Sequence, residues 1–407
     1  MVKGLSNRDA VVAMVLAMMG TGITFMPYAF KSAGYLNAIF LMTFFGMGTA
    51  VSCYCISYTA KRSKQDSPTY SSLASSISTT LGYAVNISIF FNGYLAAVNF
   101  YRYLSDLITR NSHYIRSLTS DYERSRKIVV LILAAPFLYL SSKKTLSGLV
   151  VTSYLSIASV SYLAFLMVYL FLTVGTSCAV GEAKAFNGSL GEAVPFFISS
   201  MVCQANMVKI YTEMKTRSSR SIIIVSLGAA IGGMLINGLI GLFGYLVFGD
   251  GVSGEIITEL SDMDSLINRR LREGWDKSNI MSGMAIYGMM LTLFGGYPVQ
   301  VNPVVDMILK LLPGERRTEM SRRIIVVLLF LIAMSLNLME ELKTKVIKKF
   351  LGATFSNSVA FVYPFIYYLS TRKERSFVSS FMCILMIGMS IIVSIYTVFR
   401  FAVDGTK

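Results

Sequence analysis

Residues 20–34 read GTGITFMPYAFKSAG, and this stretch decides how the first apolar segment of the chain is built. Gly20 and Gly22 flank a threonine and Pro27 follows, all inside the apolar segment 8–32. Glycine and proline both disfavour an unbroken helix. Within a bilayer, irregular backbone is tolerated only where it lines a cavity or is buried in protein. The stretch therefore predicts a helix that is interrupted in the middle of a membrane.

The composition agrees with a membrane protein throughout. Of the 407 residues, 54% are hydrophobic and 14% are charged, whereas about a quarter of an ordinary soluble chain is charged. Eleven apolar stretches approach the roughly 20 residues that a helix needs to cross a bilayer. We expect an all-α, multi-pass integral membrane protein forming a single domain over residues 1–407, with spans at 8–32, 35–59, 82–109, 126–142, 146–174, 191–213, 221–247, 278–311, 321–340, 345–370 and 375–402.

Several functional classes find no support in the sequence. The net charge of +15 would suggest a nucleic-acid partner in a soluble protein, but the charges lie between the apolar segments, so nucleic-acid binding is not expected. The five cysteines show no metal-type spacing, and only Cys178 lies near a loop. There is no nucleophile with its base, no phosphate loop and no HExxH pattern. We therefore expect no enzyme, no cofactor, no metal and no obligate protein partner.

The loops give two further expectations. An amino terminus on the cytoplasmic side divides Lys and Arg almost evenly between the two faces, so the charges decide the orientation only weakly. The longest polar segment, 249–277, carries periodic Leu and Ile and predicts a short surface helix.

A second interruption is expected in the sixth span. Pro195 stands early in segment 191–213, and Cys203-Gln204-Ala205-Asn206 brings two amides to mid-depth. Spans one and six are five apart, which is the spacing of two five-helix halves that repeat with inverted topology. The first half would cover about 8–174, the second about 191–370, and an extra helix 375–402.

Together the two breaks predict a site for a zwitterion. A half-helix that begins at the first break offers N–H groups and the positive end of its dipole to a carboxylate. Carbonyls released at the breaks accept hydrogen bonds from an ammonium group. The alternative is that the glycines only allow close helix packing. The candidate binding residues are Gly20, Thr21, Gly22, Ile23, Cys203, Gln204 and Asn206.

Four segments resemble the amino acid/auxin permease family, which includes vacuolar, neutral and proton-coupled amino acid transporters. GTGITFMPYAFKSAG resembles its opening signature, and IYTEM at 210–214 resembles its aromatic-x-Glu pattern. YPVQVNPVVDMILKLL at 297–312 and FLGATFSNSVAFVYPFIYYL at 350–369 are similar to its later proline-containing segments. The resemblance implies a LeuT-type fold of two inverted five-helix repeats plus one helix. It also implies an amino acid bound between spans one and six and carried by alternating access.

The resemblance is weakest where sodium-coupled members hold their ion. Leu16 stands where those members carry Asn, and Leu293-Phe294-Gly295-Gly296 occupies the place of hydroxyl residues before Pro298. We therefore expect proton symport or uncoupled exchange. The candidate coupling or gating groups are Glu213, which fits the family pattern, and Asp306, which has no partner on its own helix.

Other polar residues in the spans have structural alternatives. Tyr101 and Thr292 are candidates to line the substrate pocket, although packing or placement at the membrane interface is the better explanation for each of them taken alone. Arg102 and Asp106 stand four residues apart and are expected to pair. The single histidine, His113, falls in a loop.

The sequence thus favours a secondary transporter of amino acids in a plasma, vacuolar or lysosomal membrane. Its partners would be the amino acid, the lipid bilayer and protons. A nutrient-sensing receptor or a channel on the same fold, and a membrane-embedded enzyme, are the alternatives.

Overall fold

The computed structural model describes residues 5–63, 65, 68–112, 114–115, 119, 121–142, 149–176, 181–252, 254–261, 278–313, 318–339, 344–372 and 377–404. Almost all of them are helical. The α-helices are α1 Asn7–Met18, α2 Met26–Ala33, α3 Tyr35–Arg62, α4 Tyr70–Ile77, α5 Thr79–Asn111, α6 Tyr122–Ser142, α7 Leu149–Val174, α8 Leu190–Ser200, α9 Gln204–Glu213, α10 Ser219–Phe248, α11 Ile256–Ser261, α12 Ser278–Leu311, α13 Glu319–Leu338, α14 Thr344–Leu351, α15 Tyr363–Thr371 and α16 Phe377–Asp404.

The expected all-α, multi-pass class is confirmed, but the count of eleven spans is not. Within the described residues, nine helical segments are long and apolar enough to cross a membrane, and the bent pair of α1 and α2 raises the number to ten. The predicted span 345–370 is divided among α14, two π-helical segments at Gly352–Ser356 and Ser358–Val362, and α15. Its pieces are therefore each shorter than a full span.

The chain divides into two compact units. Unit 1 comprises residues 1–89, 184–241 and 349–407, and unit 2 comprises residues 90–183 and 242–348. Unit 1 thus contains both predicted breaks.

Helix α3 lies at the centre of unit 1, where it packs against α8, α9 and α15, while α16 packs against α8 and α15. The small residues of α10 let α1 approach closely, as is common in membranes. A Cβ atom added to Gly228 would lie 2.8 Å from Val11, and one added to Gly232 would lie 2.7 Å from Val15.

Unit 2 has an aromatic core. In it α12 packs along α7 and against α6, and α13 packs against α6. The rings of Phe137 and Tyr297 stack with centroids 4.3 Å apart, and Tyr101 meets Phe137 edge-on at 5.0 Å. These contacts fix the relative positions of the spans within the unit.

Arg102 and Asp106, which are expected to pair, each also have partners on other helices. Arg102 donates hydrogen bonds to the carbonyls of Asn337 and Met339, at the end of α13. Asp106 lies 3.8 Å from Arg126, a buried arginine that is also 2.8 Å from Glu123. Carbonyls at a helix end lack partners within the helix, and the buried guanidinium of Arg102 supplies the donors that they need.

The long polar loop differs from the expected surface helix. Its described part contains α11, in which Ile256, Ile257 and Leu260 are buried. The rest of the predicted helix, residues 262–277, lies outside the described residues, as do Cys178 and His113.

The close approach of span ten to span six gives a first prediction. A Cβ atom on Gly352 would lie 2.0 Å from the carbonyl oxygen of Pro195, so Gly352→Ala should destabilise the protein by about 1–3 kcal/mol through overpacking. Melting temperatures in detergent measure this. Gly388→Ala is the matched control because its Cβ would meet no atom within 4 Å. Equal melting temperatures for the two variants would contradict the packing described here.

Candidate functional site

Span one is broken between α1 and α2, as its sequence predicts. Helix α1 ends at Met18, and a 3-10 turn over Ile23–Phe25 leads into α2, with a bend of 62° between the two halves. The irregular segment is held by local bonds, from Ile23 N to Gly20 O at 3.3 Å and from Phe25 N to Gly22 O at 3.2 Å. Pro27 stands in the first turn of α2, where its missing N–H costs nothing.

Span six is broken as well, at residues 201–203. Helix α8 ends at Ser200 and α9 begins at Gln204, so the interruption begins just before the expected segment 203–206. Met201 still bonds back to the carbonyl of Ile198, and Asn206 N bonds to Cys203 O at 3.0 Å. The side chain of Cys203 is buried, whereas that of Asn206 is exposed.

The two breaks lie side by side in unit 1. Helix α2 packs against α8, and α1 packs against α9. A Cβ atom on Gly233 of α10 would lie 2.5 Å from the sulfur of Met18 and 3.4 Å from that of Met201. Met18 is the last residue of α1 and Met201 belongs to the second break, so both interruptions reach the same point on α10.

Helix α3 holds the break of span six in place. The hydroxyl of Thr49 donates to the carbonyl oxygen of Met201 at 3.2 Å. The amide of Gln204 accepts a hydrogen bond from Cys203 N at 2.8 Å and donates to Ser52 Oγ at 3.1 Å. Gln204 is buried, so this side chain satisfies the broken backbone and anchors it to the neighbouring helix.

A thiol pair lies beside this anchor. The sulfur atoms of Cys53 on α3 and Cys203 at the break are 3.8 Å apart, and both residues are buried.

Polar side chains connect α2, the second half of span one, and α8, the first half of span six, with span ten. The hydroxyl of Tyr28 on α2 donates to Glu192 on α8 at 2.8 Å. The other carboxylate oxygen of Glu192 lies 3.7 Å from the Nζ atom of Lys349. The ring of Phe196 stacks on Phe25 with a centroid distance of 5.2 Å, which closes the apolar side of this contact.

At the opposite end, main-chain bonds tie the start of the chain to the end of span six. Leu5 N donates to the carbonyl of Glu213 at 2.8 Å, and Lys215 N donates to the carbonyl of Leu5 at 2.9 Å. The side chain of Glu213 is exposed, so its carbonyl carries the contact. Asn7 adds a bond to Ser221 of α10 at 3.3 Å.

The remaining candidates belong to unit 2. Tyr101 is fully buried and donates to the carbonyl of Val130, and Thr292 donates to the carbonyl of Gly288 one turn earlier. Asp306 has its partner on another helix: it forms an ion pair with Arg322 of α13, which also donates a hydrogen bond to Asn302.

Sequence reasoning missed the residues that support the breaks. Thr49 and Ser52 read as ordinary small residues of an apolar span, and Leu5 as part of an amino-terminal tail. The only signal was the polar T-x-x-S pattern on the buried face of α3. Small hydroxyl residues also occur in membrane helices where two helices simply pack together, so this pattern alone does not indicate an anchor.

Comparison with known proteins agrees with the resemblance found in the sequence. Residues 3–402 match the family described as transmembrane amino acid transporter protein. Vacuolar amino acid transporter 5 of Schizosaccharomyces pombe is 24% identical over 378 residues, covering 90% of this chain and 85% of the relative. Vacuolar amino acid transporter 6 of Saccharomyces cerevisiae is 25% identical, covering 62% and 58%. Sodium-coupled neutral amino acid transporter 4 of Homo sapiens is 29% identical, covering 47% and 33%.

The anchoring of the break by Gln204 can be tested directly. Gln204→Leu keeps the volume of the side chain but leaves Cys203 N and the hydroxyls of Thr49 and Ser52 without this amide. An unpaired buried polar group costs about 1–3 kcal/mol, so the melting temperature should fall. Because Gln204 and Ser52 share a bond, adding Ser52→Ala to Gln204→Leu should cost less than the sum of the two single changes.

Thr212→Val is the control on the same helix, since that hydroxyl bonds only within α9 as described, to Lys209 O. A fully additive pair of Gln204→Leu and Ser52→Ala would show that the anchor does not exist.

Proposed function

The chain belongs to the transmembrane amino acid transporter family, and on that premise we propose that it carries amino acids by alternating access around the paired breaks of spans one and six. The chain is an integral, multi-pass membrane protein that transports amino acids across a membrane, and it is not an enzyme. We favour a vacuolar membrane because the relative that the match covers most fully is a vacuolar transporter.

The proposed location of the substrate site rests on one observation, that both breaks approach Gly233. We propose that the substrate carboxylate binds at Gly20, Thr21, Gly22 and Ile23, where the second half of span one begins. Helix starts attract carboxylates through their N–H groups and dipole. The ammonium group would then bind carbonyls at the breaks, near Cys203 and Asn206. In this proposal the role of Gln204 is to hold the backbone at the break of span six in position.

Tyr101 and Thr292 are kept as pocket candidates of lower priority. Each hydroxyl already donates to a main-chain carbonyl, and the buried Tyr101 ring packs against Phe137, so packing within unit 2 accounts for both side chains.

The inverted repeat is supported by which spans share a unit. Spans one and six belong to unit 1, as do span two and the first part of span seven. Spans three and eight, and four and nine, lie mainly in unit 2. Each span of the first proposed repeat, 8–174, thus lies in the same unit as its counterpart in the second repeat, 191–370. The pair of spans five and ten is the exception.

Alternating access requires that the two ends of the site open in turn. We propose the bonds of Leu5 to Glu213 and Lys215 as the inner gate, and Tyr28, Glu192 and Lys349 as the outer gate. Both sets join parts of the broken spans whose separation would open a path to the breaks. Glu213 contributes to gating through its carbonyl in this scheme.

We propose protons as the coupling ion. The exposed carboxylates of Glu213 and Asp306 lack the burial that a proton-binding carboxyl requires. Glu255, in the loop before α11, is buried and accepts a hydrogen bond from Thr344 at the start of α14. Burial raises the pKa of Glu255 to about 7, with Asp106 adding to the increase and Thr344 and Arg110 opposing it. Asp306, paired with Arg322, is then a structural charge.

The substrate site is tested by Gly22→Leu. Gly22 is buried with an ordinary helical backbone angle of −59°, so leucine fits the backbone but blocks the approach of a carboxylate. Uptake of labelled amino acids and counterflow in proteoliposomes should be lost. Gly238→Leu is the control, since a Cβ there meets no atom within 4 Å. Normal uptake by well-folded Gly22→Leu would refute the proposed site.

Coupling is tested by varying pH and sodium. Uptake should respond to a pH step and be unaffected when choline replaces sodium. Glu255→Gln should reduce the pH response, while Glu259→Gln, in the adjoining helix α11, should leave it unchanged. Strict dependence on sodium would overturn the proposal, and indifference to both ions would favour uncoupled exchange.

The same residue predicts a stability profile. Because the pKa of Glu255 is higher in the folded protein than its ordinary 4.5, the folded state binds this proton more tightly. Its contribution to stability is full below about pH 4.5 and is lost as the pH rises through about 7. The melting temperature of Glu255→Gln should therefore depend less on pH over this range than that of the wild type.

A further inference from the structure

A deep apolar groove lies on the outside of unit 1, between α3, α15 and α16. Its volume is about 450 Å³. It is open to the surroundings of the protein, since Phe40 is 68% exposed and Met382 is 53% exposed. The lining residues are Phe40, Thr43, Phe44, Met47, Gly48, Val51, Tyr54, Cys55, Phe365, Tyr368, Met382, Cys383 and Met386.

The groove follows the membrane-spanning length of α3. From Phe40 to Tyr54 the helix rises by about 20 Å, at about 1.5 Å per residue. That is most of the roughly 30 Å depth of a hydrocarbon core. None of the lining residues that the structure describes is charged. A groove of this length and polarity in a bilayer matches an extended hydrocarbon chain.

Two arginines stand at one end of the groove, each over an aromatic ring. Arg62 lies 4.5 Å from the ring centre of Tyr58, and Arg372 lies 5.9 Å from that of Tyr368. The two tyrosine rings are themselves 5.2 Å apart. Tyr368 lines the groove, so the guanidinium groups belong to its mouth.

Both arginines occupy helix ends. Arg62 is the last residue of α3, two turns beyond Tyr54, and Arg372 follows the last residue of α15. Arg372 also donates to Ser380 on α16, which joins the end of α15 to α16. Tyrosines beneath arginines are typical of the depth at which lipid headgroups meet the acyl chains.

We propose that this groove binds an anionic glycerophospholipid, with an acyl chain along α3 and the phosphate between Arg62 and Arg372. The donors along the edge of a guanidinium suit the paired oxygens of a phosphate. The charge complementarity selects this occupant. A neutral sterol would bring no negative charge to the two arginines, and a zwitterionic lipid would bring a positive group beside them.

The bound lipid would act on the helix that also supports the breaks. Gly48, Val51 and Cys55 of α3 face the groove, whereas Thr49 and Ser52 hold the break of span six. Occupancy would therefore steady α3 from its outer side. The binding itself does not depend on the proposed transport mechanism, and its test needs no transport measurement.

Native mass spectrometry of the full chain tests the proposal. The protein in detergent is titrated with phosphatidylglycerol and with phosphatidylcholine of identical acyl chains. The wild type should prefer phosphatidylglycerol. The double variant Arg62→Gln with Arg372→Gln should lower its affinity about 30-fold, at about 1 kcal/mol for each arginine, and bind phosphatidylcholine as before.

Two further variants separate the charge from the groove. Arg8→Gln with Arg220→Gln removes the same charge from exposed positions and should keep the preference. Val51→Trp fills the groove at a residue that is 48% exposed, so it should fold while weakening both lipids. An unchanged preference in the Arg62 and Arg372 variant would overturn the proposal. So would normal binding to Val51→Trp, equally tight binding of cholesterol, or equal affinity for glycerol 3-phosphate without acyl chains.

Discussion

Every backbone amide and carbonyl inside a bilayer must find a partner, and the rest of this structure depends on how two broken helices meet that requirement. Span one is satisfied locally, by 3-10 bonds such as Ile23 N to Gly20 O. Span six is satisfied from outside, by Thr49 on α3 and by its own Gln204, which α3 anchors. The difference makes α3 the structural support of the break in span six.

Much of the fold could be predicted because the bilayer imposes lengths and penalties that appear in the sequence. The apolar spans and the break after Gly20 follow from composition and from the chemistry of glycine and proline. Span ten could not be predicted as it is. Its apolar stretch has the right length, but π-helical turns from Gly352 to Val362 divide it, and the first of them packs against span six.

The candidate site was predictable only where the backbone itself carries the chemistry. Side chains were harder because periodicity gives the face of a helix but not its neighbour. Asp306 finds Arg322 on another helix, and Gln204 spends its amide on the backbone and on Ser52. Glu255 was hidden in a loop that read as polar surface, since its burial arises from tertiary packing around α11.

A substrate bound at the two breaks should protect their backbone amides, and hydrogen exchange with mass spectrometry measures that protection. Exchange of the purified protein is compared with and without a transported amino acid. We expect added substrate to slow exchange most strongly in peptides covering residues 20–23 and 201–203, with a smaller effect along α3. Protection confined to other spans, or no change at the breaks at saturating substrate, would contradict it.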